Sequence, residues 1–287
     1  MENFSGLTPE EKARLLDLEK SVELDKARPK IKKDFLSFVK YVWPEFIEGS
    51  HHKKINKKFN DLASGKIKRL IINMPPRHTK SEFASYLLPA WMVGLDPRLK
   101  IIQATHTADL AIDFGRKTKN LVDQPNYKQL FDTRLMEDSQ AAGKWKTEQG
   151  GEYFAAGVGG AITGRGADLL IIDDPHKEQD IKKDSKSFDK AWNWYTSGPR
   201  QRLQPDGKIV CVMTRWSTKD LTGQMIKAQG EEGSDEWEVI RLPAILPSNT
   251  PVWPEYWKLE ELEKTKASIP VTNWNAQYQQ EPTACLV

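Results

Sequence analysis

Two segments of the chain have residue types that could handle a polyphosphate and a divalent cation. The first is Met74-Pro75-Pro76-Arg77-His78-Thr79-Lys80-Ser81, which follows the apolar run Leu70-Ile71-Ile72-Asn73 and precedes a helix-compatible stretch to Trp91. A lysine and a hydroxyl in succession at a strand-to-helix turn suit phosphate chemistry. The amides from Arg77 onward and the helix N-terminus supply N–H donors, Lys80 supplies a mobile positive charge, and Ser81 supplies a magnesium ligand. The generic pattern G-x-x-x-x-G-K-[ST] fails at both glycines, where Met74 and Thr79 stand. Pro75 and Pro76 would pre-set the loop instead, with Pro76, Arg77, His78 and Thr79 forming the cradle. Taken alone, Thr79-Lys80-Ser81 reads equally well as a plain helix cap.

The second segment supplies what such a loop needs. Leu169-Leu170-Ile171-Ile172 reads as a buried strand and ends in Asp173-Asp174. Asp173 is placed to hold the magnesium and its water shell, and Asp174 to orient an attacking water. Many enzymes of this kind carry Glu at the second position, one methylene longer, and Glu178 is a fallback for that role. A third apolar run, Lys208 to Met213, leads into Thr214-Arg215-Trp216. Ligands of open α/β sheets bind at the carboxyl ends of the strands, which puts Thr214 where a γ-phosphate would be sensed.

These segments need a scaffold that holds strand ends side by side. Short apolar runs (Leu70–Ile72, Ile101-Ile102, Leu169–Ile172, Ile209–Met213) alternate with helix-length segments, the pattern of a mostly parallel α/β sheet with crossover helices. Tyr153 to Val158 and Trp237 to Leu242 are further strand candidates, the first among glycines and readable as a hairpin edge. Upstream, Thr8-Pro9-Glu10-Glu11 is a capping box opening a charged helix to about Asp25. Apolar residues at helical spacing predict a second helix from Lys30 to Trp43 and a third from about His51 to Gly65. Beyond Pro243 prolines punctuate a loop, a charged helix spans Lys258 to Lys266, and a Gln- and Asn-containing tail follows. The organisation expected is an N-terminal helical extension over 1–29, an α/β core over 30–245 and a small helical subdomain or linker over 246–287.

The chain has 287 residues, enough for a sizeable core, with 38% apolar and 29% charged residues; disorder and a disulfide-stapled miniprotein are excluded. No apolar run is long enough to span a membrane, and the N-terminus lacks the pattern of a secretory leader. Cys211 and Cys285 have no neighbouring ligands at zinc spacing and read as reduced thiols, Cys211 within the core. The net charge of +3 is uneven. Between Arg28 and Lys80, fourteen Lys and Arg face four Asp and Glu. Such an excess attracts a phosphodiester backbone without reading bases, although a solvated helix face accounts for any single lysine. Lys177, Lys182, Lys183, Lys186 and Lys190 offer a second basic surface.

Taken in order, Pro75–Ser81, Ile162-Thr163-Gly164-Arg165-Gly166-Ala167-Asp168, Ile171–Pro175 and Thr214-Arg215-Trp216 resemble the ATPase domain of tailed-bacteriophage large terminases, over roughly Lys33 to Pro282. The resemblance implies a RecA-like P-loop NTPase fold of the additional-strand, catalytic-glutamate class, ATP and Mg2+ as ligands, and a motor that moves double-stranded DNA into a procapsid. Lys80 and Ser81 match the phosphate-binding lysine and hydroxyl, and Arg77 matches a loop arginine acting on the γ-phosphate of its own subunit. Arg165 resembles an arginine finger offered to a neighbouring subunit, and Thr214 matches the motif that couples hydrolysis to movement. Tyr41-Val42-Trp43-Pro44 through His51-His52 resembles the region packed near adenine. Family members usually have Gly at the position of Thr79 and often Glu at that of Asp174.

The resemblance further implies portal and small-terminase partners, a homo-oligomeric and pentameric ring, and no membrane. The expected location is the host cytoplasm, transiently at the portal vertex and outside the mature virion. The chain is expected to stop before the family's nuclease domain and to cut no DNA. Two other readings stay open: a helicase-like P-loop ATPase of another family, or a non-enzymatic basic DNA-binding or capsid-assembly protein.

Overall fold

In a computed structural model, which describes residues 8–162, 164–178 and 186–283, Thr8 caps α1 (Pro9–Lys33) reciprocally with Glu11. The helix runs past Asp25 and through Pro29, because its last turn buries Ile31 on the core. The chain then turns at Asp34, so the helix expected over Lys30 to Trp43 is divided, and α2 spans Phe35–Val42. Asp34 makes the break: its carboxylate accepts from Ser37 N at 2.8 Å and from the amides of Asn56 and Asn60 at 2.7 and 2.9 Å. Both asparagines lie on α3 (Ser50–Ala63) and return their carbonyl oxygens to the N–H groups of Leu36 and Phe35. Helix-end donors are thus satisfied by the neighbouring helix, which locks α2 to α3.

The eight-stranded sheet has the order β3-β4-β5-β2-β6-β7-β1-β8. Its strands are β1 (Arg69–Asn73), β2 (Lys100–Thr105), β3 (Leu135–Ala141), β4 (Lys144–Thr147), β5 (Glu152–Gly157), β6 (Ala167–Asp173), β7 (Leu203–Met213) and β8 (Glu238–Arg241). From β5 to β8 all neighbours are parallel, and β3 and β4 add an antiparallel hairpin at one edge. The fold is mixed α/β with a mostly parallel sheet flanked by helices, as expected. The Tyr153 segment is not an edge: β5 is interior, paired with β2 and β4, and the hairpin lies just before it. Glu137, Asp138 and Ser139 within β3 hide that hairpin from any apolar pattern.

Alternation along the inner strands divides the core by face. Leu70, Ile72, Leu169, Ile171, Val210 and Val212 point towards α2, α3 and α4 (Leu88–Leu95), while Ile71, Leu170, Ile172, Ile209, Cys211 and Met213 point towards the other face. There they meet Tyr195 on α7 (Ser187–Ser197) and Leu221 and Met225 on α8 (Leu221–Ala228). Of the remaining helices, α5 (Ala108–Asp123) covers β2 and β5, and α6 is Pro125–Leu130. Near the C-terminus Leu262 of α9 (Leu259–Ser268) packs with Ala244, Ile245 and Trp274 in a small cluster of its own. Cys211 is buried and unpaired; Cys285, Thr163, Lys182 and Lys183 lie outside the described residues. Among the described residues no helix is long and apolar enough to cross a membrane.

Phe35 joins the helical layer to the loop-bearing helix: its ring meets Phe59, Phe83 and Trp91 edge-on at 4.9, 5.3 and 5.6 Å. Phe35→Ala should cost about 3–5 kcal/mol of stability through the cavity it leaves, read as a lower urea midpoint. A loss below about 1 kcal/mol would show that the ring is not integral to this layer.

Candidate functional site

Between β1 and its helix the backbone enters the left-handed region twice, at Arg77 (φ 60°) and Thr79 (φ 71°). Each costs about 1–2 kcal/mol for a residue with a Cβ. Thr79 therefore holds the conformation that the generic glycine takes freely; the loop keeps the shape and departs only in sequence. Local bonds hold it: His78 Nδ1 donates to Pro76 O at 2.7 Å, Thr79 Oγ1 donates to His78 O at 2.5 Å, and Trp257 Nε1 reaches Arg77 O at 3.4 Å. Past Ser81 the helix starts with a π-helical turn, Glu82–Leu87. This turn brings Ser85 to the acidic strand, where its hydroxyl donates to Asp173 Oδ2 at 2.7 Å and accepts from Gln103 Nε2 at 3.0 Å.

The register of β7 with both neighbours aligns three strand ends: Asn73 lies opposite Met213, and Asp173 opposite Val212. Across that line Lys80 Nζ sits 2.8 Å from Asp174 Oδ2, and Thr214 N donates to Asp174 Oδ1 at 2.9 Å. His106, just beyond β2, donates from Nδ1 to Asp174 O at 3.1 Å. Asp174 is itself left-handed (φ 41°), which turns its carboxylate back towards the loop. Burial works against the Lys80 ammonium, but the Asp174 and Asp173 charges prevail and hold its pKa above the ordinary value. Burial, reinforced by Asp174, pushes the Asp173 carboxyl up to about 7.

Asp173 also fits a cation. It is 1% exposed, and its Oδ1 is buried with no hydrogen-bond partner, while Ser81 lies within reach of the same carboxylate. A buried acceptor left unpaired is costly, and a divalent ion would satisfy it. Among the described residues no three His, Cys, Asp or Glu side chains are gathered to hold a metal by themselves. A hydroxyl and one carboxylate suit magnesium, which keeps waters and phosphate oxygens as its other ligands.

Two clefts meet at Lys80. One, of about 570 Å³, is lined by Lys80, Asp174, Thr214, His106, His176 and Glu178. The other, of about 650 Å³, has aromatic walls from Trp43, Trp253 and Tyr256 and includes Arg77, Ser81 and Lys117. The structure thus brings Pro76, Thr79, Lys80, Ser81, Asp173, Asp174 and Thr214 together, with His78 buried beneath the loop and Arg77 exposed on its lip. Glu178 shares the first cleft with Asp174. Arg215 instead forms a buried ion pair with Asp220 at 2.9 Å, and Asp220 caps α8.

Arg165 is elsewhere. It precedes β6, pairs with Glu152 at the start of β5, and lies over the Phe154 ring at 3.8 Å. With β6 seven residues long, about 3.3 Å per residue puts it roughly 20 Å from Asp173, at the opposite end of the sheet. Ser85, Gln103, His106 and Asp220 are absent from the sequence reading. Asp220 had a signal, as an N-cap before an apolar helix; Ser85 had none, because the π-helical turn Glu82–Leu87 sets which way it points.

No protein-family model and no curated protein sequence matches the chain. Solved structures do. An arginine-to-alanine variant of the large terminase ATPase domain of Thermus phage P74-26 superposes with a TM-score of 0.51 at 14% identity, over 85% of this chain and 97% of that one. The large terminase of bacteriophage HK97 gives a TM-score of 0.54 at 12% identity, over 88% of this chain and 55% of its own length. The chain has the fold of a phage large terminase ATPase domain. At this identity the likeness is one of fold, and the chemistry rests on the residues above.

Four buried imidazoles around the site set an acid dependence. Burial lowers His51, His78 and His176 to about 4 and His52 to about 2. Between about pH 6.5 and 4 the unfolded chain gains protons that the folded chain refuses, so stability falls as the pH drops through that window. Asp173 acts in the opposite sense, its contribution being full below about 4 and lost as the pH rises to about 7. Four groups against one decide the sign. The urea midpoint should fall from pH 6.5 to 4.5, and His176→Gln should flatten that fall; an unchanged or steeper slope in the variant would contradict it.

Proposed function

We propose that this chain is the ATP-hydrolysing motor domain of a phage large terminase and drives double-stranded DNA into the procapsid. The observation that carries the reading is the junction of Lys80, Asp174 and Thr214 across three parallel strand ends, within a fold shared with large terminase ATPase domains. Phosphates of ATP would lie on the loop amides and draw Lys80 from Asp174. Asp174, released from the ammonium, would face the first cleft and orient water, with Glu178 lining the same space as the alternative base. Ser81 and Asp173 would hold magnesium, which would supply neutralisation of phosphate charge. Thr214, tied to Asp174 by its amide, would register the loss of the γ-phosphate at the end of β7. The aromatic cleft beside Arg77 would take the base and sugar.

The wider setting belongs to the same proposal: a pentameric ring docked on the portal, in the host cytoplasm, with small-terminase contacts and no DNA cleavage by this chain. Arg165 enters only through the ring. At about 20 Å from its own Asp173 it has no route to its own nucleotide, so a finger role requires a neighbouring subunit's site.

Lys80→Ala should reduce phosphate release by on the order of 100-fold or more, the scale for removing a preorganised charge from a phosphoryl-transfer site. Equal rates for wild type and variant would sink the motor reading. Arg165→Ala should also lower turnover of the assembled ring, and mixing it with Lys80→Ala subunits should restore part of the rate, since each variant supplies what the other lacks. Absence of recovery in mixed rings leaves Arg165 a structural residue, held by Glu152 and Phe154.

A further inference from the structure

The residue that stands in place of the loop glycine is tied to a helix 27 positions earlier in the chain. Thr79 Oγ1 lies 2.8 Å from His52 Nε2 on α3, and the other ring nitrogen, Nδ1, accepts from Gly49 N at 2.8 Å. Accepting at Nδ1 leaves the proton of a neutral imidazole on Nε2, so His52 donates to Thr79, whose hydroxyl in turn donates to His78 O at 2.5 Å. The relay runs one way, from a backbone amide to a loop carbonyl, and each bond fixes the donor of the next. His52 is fully buried, its ring 4.7 Å from Phe46, 4.9 Å from Phe83 and 5.0 Å from Trp253. The turn that feeds it is built tightly: a Cβ at Gly49 would stand 2.5 Å from Trp253 Cδ1 and 2.9 Å from the His51 ring.

We propose that His52 is a positioning residue for the phosphate loop: its bond to Thr79 holds a β-branched residue in the left-handed conformation and thereby aims the loop amides at the phosphates. Thr79 and His52 together do by side-chain tethering what glycine does by lacking a Cβ. The inference rests on reading the loop as the nucleotide site, and it assigns α3 a direct part in that site. It also explains why a threonine, disfavoured at this φ, keeps its hydroxyl turned inward and its residue buried.

The test is a cycle of His52→Phe, which keeps a planar ring among Phe46, Phe83 and Trp253, with Thr79→Val and Thr79→Gly. Affinity for a fluorescent ATP analogue, kcat and KM for phosphate release, and amide exchange of the loop are read for each. His52→Phe should weaken nucleotide binding about five- to tenfold in the Thr79 background, the effect of one buried hydrogen bond, and Thr79→Val should do the same. In the Val or Gly background His52→Phe should add less than about twofold, whatever the rate of that background. Penalties that add across the cycle would make His52 a packing residue only, and absence of any penalty would remove the tether altogether. If His52→Phe does not fold, Thr79→Val against wild type carries the test. Should no protein in the set, wild type included, bind the analogue, the nucleotide reading fails, and coupling in loop amide exchange alone decides the tether.

Discussion

An ammonium and a carboxylate 2.8 Å apart tie the ends of three strands together. Lys80 comes from the loop after β1, Asp174 from the end of β6, and Thr214 from the strand between them. Lys80 is buried and Asp174 half-buried, so the pair loses solvation on the lysine side that it recovers only with good geometry and further hydrogen bonds. Those bonds come from Thr214 N and, on the backbone side of Asp174, from His106. The arrangement depends on the insertion of β7, which separates β1 and β6 by two strand spacings, about 10 Å. A side chain as long as lysine spans that gap from the loop. A one-residue slip of β7 would exchange the faces of its whole apolar set and turn Thr214 N away from Asp174, so the double-sided core also guards the register of the site.

The electrostatic balance of the junction points in one direction. Two adjacent carboxylates share a single buried ammonium, and burial, with Asp174 beside it, pushes the one that Lys80 does not touch, Asp173, up to about 7 against the pull of Lys80. Its Oδ2 is held by Ser85 while Oδ1 has no partner, leaving unmet demand for positive charge beside Ser81. On the other side of Lys80 the loop amides and the helix start leave demand for negative charge. A site with both demands a few ångströms apart complements a polyphosphate with its cation better than either ion alone. Three of the six left-handed residues other than glycine among the described residues, Arg77, Thr79 and Asp174, belong to this junction, and strain of this kind persists only where surrounding structure holds it.

The parallel core was legible because its strands are buried on both faces and read as continuous apolar runs. The β3–β4 hairpin was not, because Glu137, Asp138 and Ser139 interrupt any such run. The break at Asp34 was hidden for a different reason: beyond its local cap on Ser37 N, the turn is held by Asn56 and Asn60 from another helix, and tertiary partners are invisible to local periodicity. Within the site, Lys80, Asp173, Asp174 and Thr214 were legible from their places at strand ends. The network behind them was not. Ser85 reaches Asp173 through a π-helical turn that shifts the phase of the helix, and Gln103 joins from a strand that lies beside β6 only after folding.

Folding also changes what the basic excess means. Of the fourteen bases between Arg28 and Lys80, eight stand in ion pairs: Arg28, Lys40, Lys53, Lys58, Lys66, Lys68, Arg69 and Lys80. Four of those eight pair with acids beyond the segment, namely Glu238, Asp206, Asp235 and Asp174. The tally along the sequence therefore overstates the field that segment projects, because the sheet brings distant carboxylates to it. Exposed surface pairs contribute little to stability, yet they cancel charge at long range. A backbone-tracking grip needs lysines whose counter-ions are small and exchangeable, since releasing those ions drives the binding. Any contact with DNA on this face would therefore have to be made by exposed bases such as Lys54 and Lys57 on α3, the helix that also carries His52 beneath the loop after β1.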